Sequence, residues 1–422
     1  MRLERLRWLL LLLLFLSTVI NYVDRQALSV LIPTLRTDLG LSATDYGLVT
    51  TVFLLAYTVG QLAAGVWIDR VGTRLGFAVF AAVWSLAAVL HAFTAGVLTL
   101  IAFRLLLGLT EAGNWPAGTK AIAQWFPQKR RAFAMAVFDG GSAAGAILAP
   151  PLVAFLALQF NWRMAFIATG ILGFIWVVAW LVVYETPDRH RWLNPEDRDQ
   201  VATEAGASGA RAPLGSALAR LLRTRALWGL MLTRLLATPV WWFYVFWLPD
   251  YLSQSRGFSL KDIGLYAWIP YVAVDLGKML GGAVSDRLLA RGHSATLARK
   301  SVMVFGALLM VGGVKVAGAD SAAAAIVWVC VATFGFGCWS ANILALHADI
   351  FPAGSMATAV GATGTAASLS GAAFTYLVGQ IVGTSGYGPV FWAVGTTALV
   401  ACAALVFVLG RVERLPASAL SS

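Results

Sequence analysis

The chain has 422 residues, of which 59% are hydrophobic and only 12% are charged, and its mean hydropathy is +0.77. A soluble chain carries roughly 25% charged residues, so the composition excludes an ordinary water-soluble fold and favours one that is surrounded by lipid. The formal net charge of +11 would suggest nucleic-acid binding in a soluble protein. In a membrane protein it follows from Lys and Arg in cytoplasmic loops, so we expect membrane lipid and no nucleic acid as partners.

The first apolar stretch resembles the start of a signal peptide, because a basic segment, residues 1–7, precedes it. No A-x-A cleavage site follows, and the apolar character continues from Trp8 to about Leu31. That length is enough to cross a bilayer, so we predict a retained first helix.

Twelve stretches satisfy the requirement of about 20 mostly apolar residues for a transmembrane helix. They lie near 8–32, 43–68, 75–95, 97–120, 132–156, 162–184, 226–252, 262–285, 299–318, 322–346, 356–380 and 388–410. We therefore predict an all-α integral membrane protein with an N-terminal half over 1–185, a cytoplasmic linker over 186–225 and a C-terminal half over 226–422.

The basic residues of the loops are distributed unequally between the two sides of this topology. One side holds the basic N-terminus, Lys129 to Arg131, the polar linker and both Arg411 and Arg414. Cytoplasmic loops are enriched in Lys and Arg, so we predict that both termini are cytoplasmic.

A short motif occurs twice, each time at the end of an apolar stretch. The sequence reads G-V-W-I-D-R-V-G-T-R from Gly65 and G-A-V-S-D-R from Gly282, which lies 217 positions later. Two copies at about half the chain length indicate two similar six-helix halves. The alternative, ordinary loop charge after a helix, does not account for the spacing.

The repeated motif, the twelve spans and the layout of two halves resemble the major facilitator superfamily. That resemblance implies alternating access, with the motif contributing to closure of the cytoplasmic side. We expect Gly65 to allow close helix approach and Asp69 to bond a helix N-terminus and a nearby Arg. The residues predicted to take part in gating are Gly65, Asp69, Arg70, Arg74, Asp286 and Arg287.

Charged residues inside predicted spans are candidates for function, since each costs roughly 2.5–3.5 kcal/mol at the bilayer centre. Tyr22 and Asn21 lie three and four positions before Arg25 and share its face of the first helix, with Asp24 beside them. Arg104 and Glu111 lie seven apart on one face of the fourth helix, with Arg104 toward the outside and Glu111 at the depth of Arg25. We predict a shared cavity where an Arg binds a carboxylate and a carboxyl group exchanges a proton. The alternative is a pair of internal salt bridges, Asp24 with Arg104 or Glu111 with Arg25.

The C-terminal half offers aromatic and neutral polar groups, which suit sugar-like hydroxyls. Candidate residues of the binding site are Trp242, Tyr244, Trp339 and Asn342. A plain aromatic core or interface belt is the alternative.

Four other polar positions in this half are expected to be structural. Asp275 and Lys278 lie three apart and should pair with each other. Arg234 lies close to the end of its span, and His347 is expected to be hydrogen-bonded structure.

Several stretches resemble one branch of the family, the anion:cation symporters for hexuronates, galactonate and related sugar acids. They are Asn21 to Arg25, Glu111 to Pro116, Trp241 to Tyr244 and Trp339 to Asn342. The resemblance implies that Arg25 grips the substrate carboxylate, Asp24 and Glu111 carry protons, and Arg104 pairs with a carboxylate and sets its pKa. It also implies that the side chains that bond the substrate are Tyr22, Tyr57, Ser340 and Asn342.

Two positions depart from that branch. Hexuronate-type members place an acidic residue where this chain has Thr238, and galactonate carriers use a longer amide where it has Ser142. These departures leave the particular sugar acid open.

We expect a monomeric proton-coupled symporter, in a bacterial inner membrane, that imports an organic anion by alternating access. H⁺ rather than Na⁺ is the expected coupling ion. The alternatives are another monocarboxylate or metabolite carrier or antiporter of the same fold, and a non-transporting sensor. The chain has three Cys and four His, none in metal-ligand spacing, so we expect no metal, no cofactor and no enzymatic activity.

Overall fold

A computed structural model describes residues 3–205 and 214–415 of the chain. Segments 206–213 and 416–422, which the predicted linker and C-terminal half include, lie outside the described residues. The described part is predominantly helical, as expected in a bilayer, where backbone groups must be hydrogen-bonded internally.

Seven helices form the first part of the chain. Their bounds are α1 Leu3–Leu39, α2 Ala43–Val71, α3 Thr73–Leu90, α4 Val97–Glu111, α5 Asn114–Trp125, α6 Gln128–Gln159 and α7 Trp162–Val183. The predicted fourth span is broken at Ala112 and Gly113, so that Glu111 ends one helical segment.

Ten further helices follow, of which the first two belong to the linker. Their bounds are α8 Pro195–Ala205, α9 Leu214–Leu221, α10 Arg225–Arg256, α11 Leu260–Tyr266, α12 Ile269–Ala290, α13 Ala295–Met310, α14 Val314–Ala317, α15 Ala322–Ile350, α16 Ala353–Ser385 and α17 Gly388–Ala403. A π-helical turn, Ala404–Val408, extends α17.

Ten helical stretches within the described residues are long and apolar enough to cross a membrane, and α2 is an eleventh as a pair bent by 41°. The remaining predicted span corresponds to α11 and α12, where Asp275, Lys278 and Asp286 lower the hydropathy. The predicted all-α fold with twelve spans is confirmed. Many of the observed helices extend past the predicted ends, because a helix can continue beyond the hydrocarbon layer.

Two compact units divide the described chain. One holds the described residues of 1–41, 52–209 and 258–268, and the other holds those of 42–51, 210–257 and 269–422. The first nine residues of α2 therefore belong with the C-terminal unit, and α11 belongs with the N-terminal unit. The sequence repeat alone does not indicate this exchange.

Glycines permit the closest helix contacts within each unit. In the N-terminal unit α1 packs on α6, where a Cβ on Gly141 would lie 2.4 Å from the Phe15 carbonyl oxygen. In the C-terminal unit α12 packs on α15, where a Cβ on Gly277 would lie 2.1 Å from the Phe334 carbonyl oxygen. The prediction that a neighbouring helix approaches closely at Gly65 was wrong, since a Cβ built there meets nothing within 4 Å.

Candidate functional site

A buried ion pair lies at the centre of the N-terminal unit. Nε of Arg25 on α1 is 3.0 Å from Oε2 of Glu111 at the end of α4, and the two side chains are 2% and 0% exposed. Removing two charges from water is costly unless they are paired and hydrogen-bonded. This pair is one of the two internal salt bridges that the sequence allowed.

Aromatic rings surround both guanidinium groups of this cluster. The Arg25 guanidinium carbon lies 4.7 Å from the ring centroids of Tyr22 and Tyr57 and 5.5 Å from that of Phe53. Arg104 lies over the same Phe53 ring at 5.5 Å and donates from Nη1 to the Arg25 carbonyl oxygen at 3.3 Å. The rings hold the cations by cation–π attraction and exclude water from them.

Asn21 links the two members of the ion pair. Its side-chain oxygen accepts from Nη2 of Arg25 at 3.1 Å, and its amide nitrogen donates to the backbone carbonyl of Glu111 at 3.3 Å. That carbonyl needs a partner because α4 ends at this residue. Sequence spacing placed Asn21 on the face of Arg25, but only the helix break explains its second contact.

Asp24 occupies the other side of α1. Its side chain is 2% exposed, and within the described chain its carboxylate oxygens have no hydrogen bond of ordinary geometry and no ion pair. Thr169, Arg104 and Glu111 are its polar surroundings, but the Thr169 hydroxyl donates to the Phe166 carbonyl at 3.3 Å. The second salt bridge that the sequence allowed, Asp24 with Arg104, is not present among the described residues.

The aromatic residues of α10 point to different neighbours in the C-terminal unit. Trp241 stacks on Phe336 of α15, with centroids 5.5 Å apart and planes 4° apart, and meets Tyr271 of α12 edge-on. Trp242 stacks on Phe246 at 5.4 Å and lies against Gly371 of α16. Trp241 therefore contributes to a cluster of aromatic rings, and it was not among the predicted residues of the binding site.

Other predicted members of this half lie in contacts between helices. Tyr244 is fully buried and its hydroxyl lies 3.1 Å from a Cβ built on Gly313. Asn342 donates to the carbonyls of Gly281 and Cys338, joining α12 to α15. Trp339 is also buried, whereas Ser340 is partly exposed on α15.

The first copy of the repeated motif holds the ends of helices together through different partners from those expected. Asp69 pairs at 2.8 Å with Lys120 of α5, whose ammonium also donates to the Ile68 carbonyl. Arg74 pairs with Glu185 at 3.2 Å and donates to the Leu181 carbonyl at the end of α7. The prediction that Asp69 pairs with an Arg was wrong, because its partner is Lys120. Arg70, the next residue of the motif, is exposed.

The second copy forms a larger network within its unit. Arg299 of α13 bonds Asp286 at 2.8 Å, Asp349 of α15 at 3.0 Å and the Ser285 hydroxyl at 2.6 Å. Arg287, the next residue of the motif, is exposed. Asp286 therefore belongs to a network that joins α12, α13 and α15.

Two predicted structural features are confirmed, and one buried acid was missed. Asp275 and Lys278 pair at 3.1 Å, and His347 is hydrogen-bonded at both ring nitrogens. Asp250 of α10 is fully buried and accepts from the Tyr387 hydroxyl at 2.5 Å. Asp250 lies among apolar residues near the end of a predicted span. An acid inside a membrane span is a candidate for function.

A multi-pass helical membrane protein with a buried ion pair inside its spans is typical of the class of solute carriers. Comparison with known proteins supports that class: the profile of the Major Facilitator Superfamily matches residues 14–375. The chain therefore belongs to the Major Facilitator Superfamily.

Similar proteins carry the names of sugar-acid transporters. The hexuronate transporter of Escherichia coli strain K12 is 36% identical over 394 residues, which are 92% of this chain and 91% of that protein. The galacturonate transporter of Dickeya chrysanthemi is 36% identical over 315 residues, 74% of this chain and 91% of that protein. The D-galactonate transporter of E. coli O6:H1 is 28% identical, covering 97% of each. These relatives are transporters rather than enzymes.

Solved structures show the same fold at low sequence identity. A bacterial homologue of the human lysosomal transporter Spinster has a TM-score of 0.76 at 18% identity, covering 96% of this chain and 95% of that one. A D-xylose-proton symporter also gives 0.76 at 18% identity, covering 97% and 99%.

Proposed function

We propose that this chain is a proton-coupled symporter that imports an organic anion, a sugar acid of the hexuronate or aldonate type, by alternating access. The observation that carries the proposal is the buried pair of Arg25 and Glu111 between aromatic rings. The names of the similar sugar-acid transporters agree with it.

The pair supports exchange of one carboxylate for another. The guanidinium of Arg25 has five N–H donors in a planar fork and suits a carboxylate in two-point geometry. A sugar acid that enters beside Tyr22 and Tyr57 competes with Glu111 for this fork. Glu111 then lacks its partner in a buried site, where a charged carboxylate costs several kcal/mol, and takes up a proton.

Asp24 supplies a second carboxyl on the same helix. Its lack of an ion pair within the described chain makes the neutral acid the less costly form, since a buried charge requires a partner. We infer that Asp24 carries a proton in the loaded carrier and releases it on the other side of the membrane.

H⁺ is the coupling ion that this geometry favours over Na⁺. A Na⁺ ion at Glu111 would lie against the Arg25 guanidinium, whose Nε is already 3.0 Å from the carboxylate. Like charges at this distance repel strongly in a medium of low dielectric constant. A proton neutralises the carboxylate without placing a second cation there.

The remaining features of the proposal concern location, oligomeric state and the C-terminal half. We infer an inner-membrane protein that functions as a monomer, with both termini in the cytoplasm because the basic loops share one side. The neutral polar and aromatic groups of the C-terminal half, among them Trp241, Trp242 and Ser340, suit the hydroxyls and faces of a sugar acid.

Reconstitution tests this proposal. Purified protein in liposomes with an acidic exterior should accumulate labelled galacturonate or glucuronate above the outside concentration, and a protonophore should abolish the accumulation. Uncharged galactose should not accumulate. Binding of the acids without accumulation would indicate a sensor, and accumulation that depends on Na⁺ rather than pH would contradict proton coupling.

A further inference from the structure

A second cationic site lies in the C-terminal unit, on residues other than the charged cluster of α1 and α4. Arg234 is nine residues into α10, about 13 Å from the start of that helix at about 1.5 Å per residue. An arginine inside a membrane span is costly unless polar or charged groups surround it. It therefore requires an explanation in terms of partners.

Protein groups account for only part of the bonding capacity of this guanidinium. Nη1 of Arg234 donates to the Thr363 hydroxyl of α16 at 3.1 Å. Within residues 3–205 and 214–415, this is its one hydrogen bond, and no carboxylate forms an ion pair with it. The charged arginines of the N-terminal unit differ, because Arg25 is paired with Glu111. Arg234 remains a cation whose other donors have no acceptor in the part of the chain that the structure describes.

Thr363 and His347 orient the guanidinium. His347 of α15 is fully buried; its Nδ1 is 2.7 Å from the Ile343 carbonyl oxygen and must donate to it, because a carbonyl oxygen only accepts. Nε2 of His347 is 2.9 Å from the Thr363 hydroxyl oxygen, which also lies 3.1 Å from the Val360 carbonyl oxygen. The Thr363 oxygen is left to accept from Arg234. This chain of bonds fixes one edge of the guanidinium and leaves the others available.

There is room beside the guanidinium for a ligand. A Cβ built on Gly364, the residue after Thr363, would meet only Nη1 of Arg234 within 4 Å, at 3.9 Å. A Cβ on Gly361, one turn earlier in α16, would meet nothing within 4 Å. Small residues on α16 thus leave space beside Nη1 of Arg234.

We propose that Arg234, held by Thr363 and His347, is a second anion-binding site that takes an oxyanion: a carboxylate or a phosphate. The ligand supplies the counter-charge that the described protein does not, through the two-point geometry that guanidinium groups form with such anions. A carboxylate would come from the transported acid, and a phosphate from a lipid headgroup. The site is separate from the pair on α1 and α4 and does not depend on the identity of the substrate.

Inorganic sulfate is the probe for the test, and removal of the first site isolates the second. We would measure the melting temperature of the full chain in detergent, with and without sulfate, for Arg25→Ala and for the double variant with Arg234→Gln. Sulfate stabilises proteins in general, but that effect is common to both variants. Binding to the folded state raises its stability. The proposal therefore predicts that sulfate raises the melting temperature of Arg25→Ala more than that of the double variant. Equal shifts would overturn it.

Two further variants protect the test against a change in folding. Arg225→Gln makes the same change on the same helix, at a side chain that already donates to the carbonyls of Phe407 and Val408, and should retain the full sulfate response. Thr363→Val removes the hydroxyl and keeps all charges, and should reduce the response. A full response in Thr363→Val together with a full response in Arg234→Gln would contradict the site.

Nanodiscs distinguish the two sources of the anion. If the natural ligand is a lipid phosphate, anionic phosphatidylglycerol should remove the sulfate response of Arg25→Ala, whereas zwitterionic lipid should not. If the response persists in both lipids and labelled galacturonate competes with sulfate, the ligand is the transported acid. Failure of galacturonate to bind at all would contradict the proposed function but leave the sulfate result, and hence this site, intact.

Discussion

The two halves of the chain share a fold and a repeated motif but differ in how they treat buried charge. In the N-terminal unit Arg25 is paired with Glu111, bonded to Asn21 and packed among aromatic rings. In the C-terminal unit Arg234 has one hydroxyl partner and no carboxylate within the described chain. A fold duplicated in sequence can therefore divide its work, with an internally neutralised site in one half and an open cationic site in the other.

The largest effect is expected from Arg25→Ala. Loss of the guanidinium removes the group that binds the carboxylate and leaves Glu111 buried without its partner, which costs about 3–5 kcal/mol. We expect a loss of at least about 2.8 kcal/mol in the binding free energy of galacturonate. Since about 1.4 kcal/mol is tenfold, its affinity should fall by at least about a hundredfold. Titration calorimetry measures this, with Arg225→Ala as control. Unchanged affinity would move anion recognition to the other half.

Glu111→Gln separates binding from coupling. The amide keeps the shape of the side chain and accepts a bond from Arg25, but it cannot take up a proton in this range of pH. We expect exchange of labelled for unlabelled galacturonate to persist in liposomes while accumulation driven by a pH gradient is lost. Asp275→Asn, in a pair that we regard as structural, is the control. Continued accumulation by Glu111→Gln would show that another carboxyl couples transport.

Glycine substitutions test whether the closest helix contacts matter equally in the two halves. A methyl group at Gly141 or Gly277 would collide with a backbone carbonyl of the neighbouring helix. Overpacking of this kind costs typically about 1–3 kcal/mol, so each Gly→Ala change should lower the melting temperature in detergent. Gly140 and Gly282 are matched controls, because a Cβ at either meets nothing within 4 Å. Equal melting temperatures for test and control variants would contradict the contacts.

The smallest effects are expected at the two copies of the repeated motif. Lys120 pairs with an exposed Asp69, and such pairs contribute about 0.2–1 kcal/mol, so Lys120→Gln should change the melting temperature little. Arg299 is 11% exposed and joins Asp286, Asp349 and Ser285, so Arg299→Gln should lower it more. A larger drop in melting temperature for Lys120→Gln than for Arg299→Gln would show that the first copy of the motif contributes more to stability.

Sequence reasoning predicted the fold well because membrane crossing has a simple requirement. A run of about 20 apolar residues and the spacing of the two motif copies were sufficient for twelve spans in two halves. The shared depth of Arg25 and Glu111 followed from helical periodicity alone. Asn21 was placed on the correct face, but its bond to the Glu111 carbonyl depends on a helix break that periodicity does not show.

The C-terminal half was less predictable, because aromatic side chains on one helix can face any of several neighbours. Tyr244 and Asn342 pack against other helices of the unit, while Trp241 carries a stacked aromatic surface. Arg234 was interpreted as structural from its position near a helix end, and only the three-dimensional partners reveal its unmet bonding capacity. The Lys120 partner of Asp69 was missed because it lies on a helix that the motif does not include.

Proton uptake on binding tests the central claim most directly. Galacturonate binding to the wild-type chain and to Glu111→Gln would be measured by calorimetry in two buffers of different ionisation enthalpy. If the anion displaces Glu111 from Arg25, the wild type takes up a proton with each anion, so its binding heat depends on the buffer, and the variant loses that dependence. Wild-type binding with the same heat in both buffers would contradict the exchange of carboxylates at Arg25.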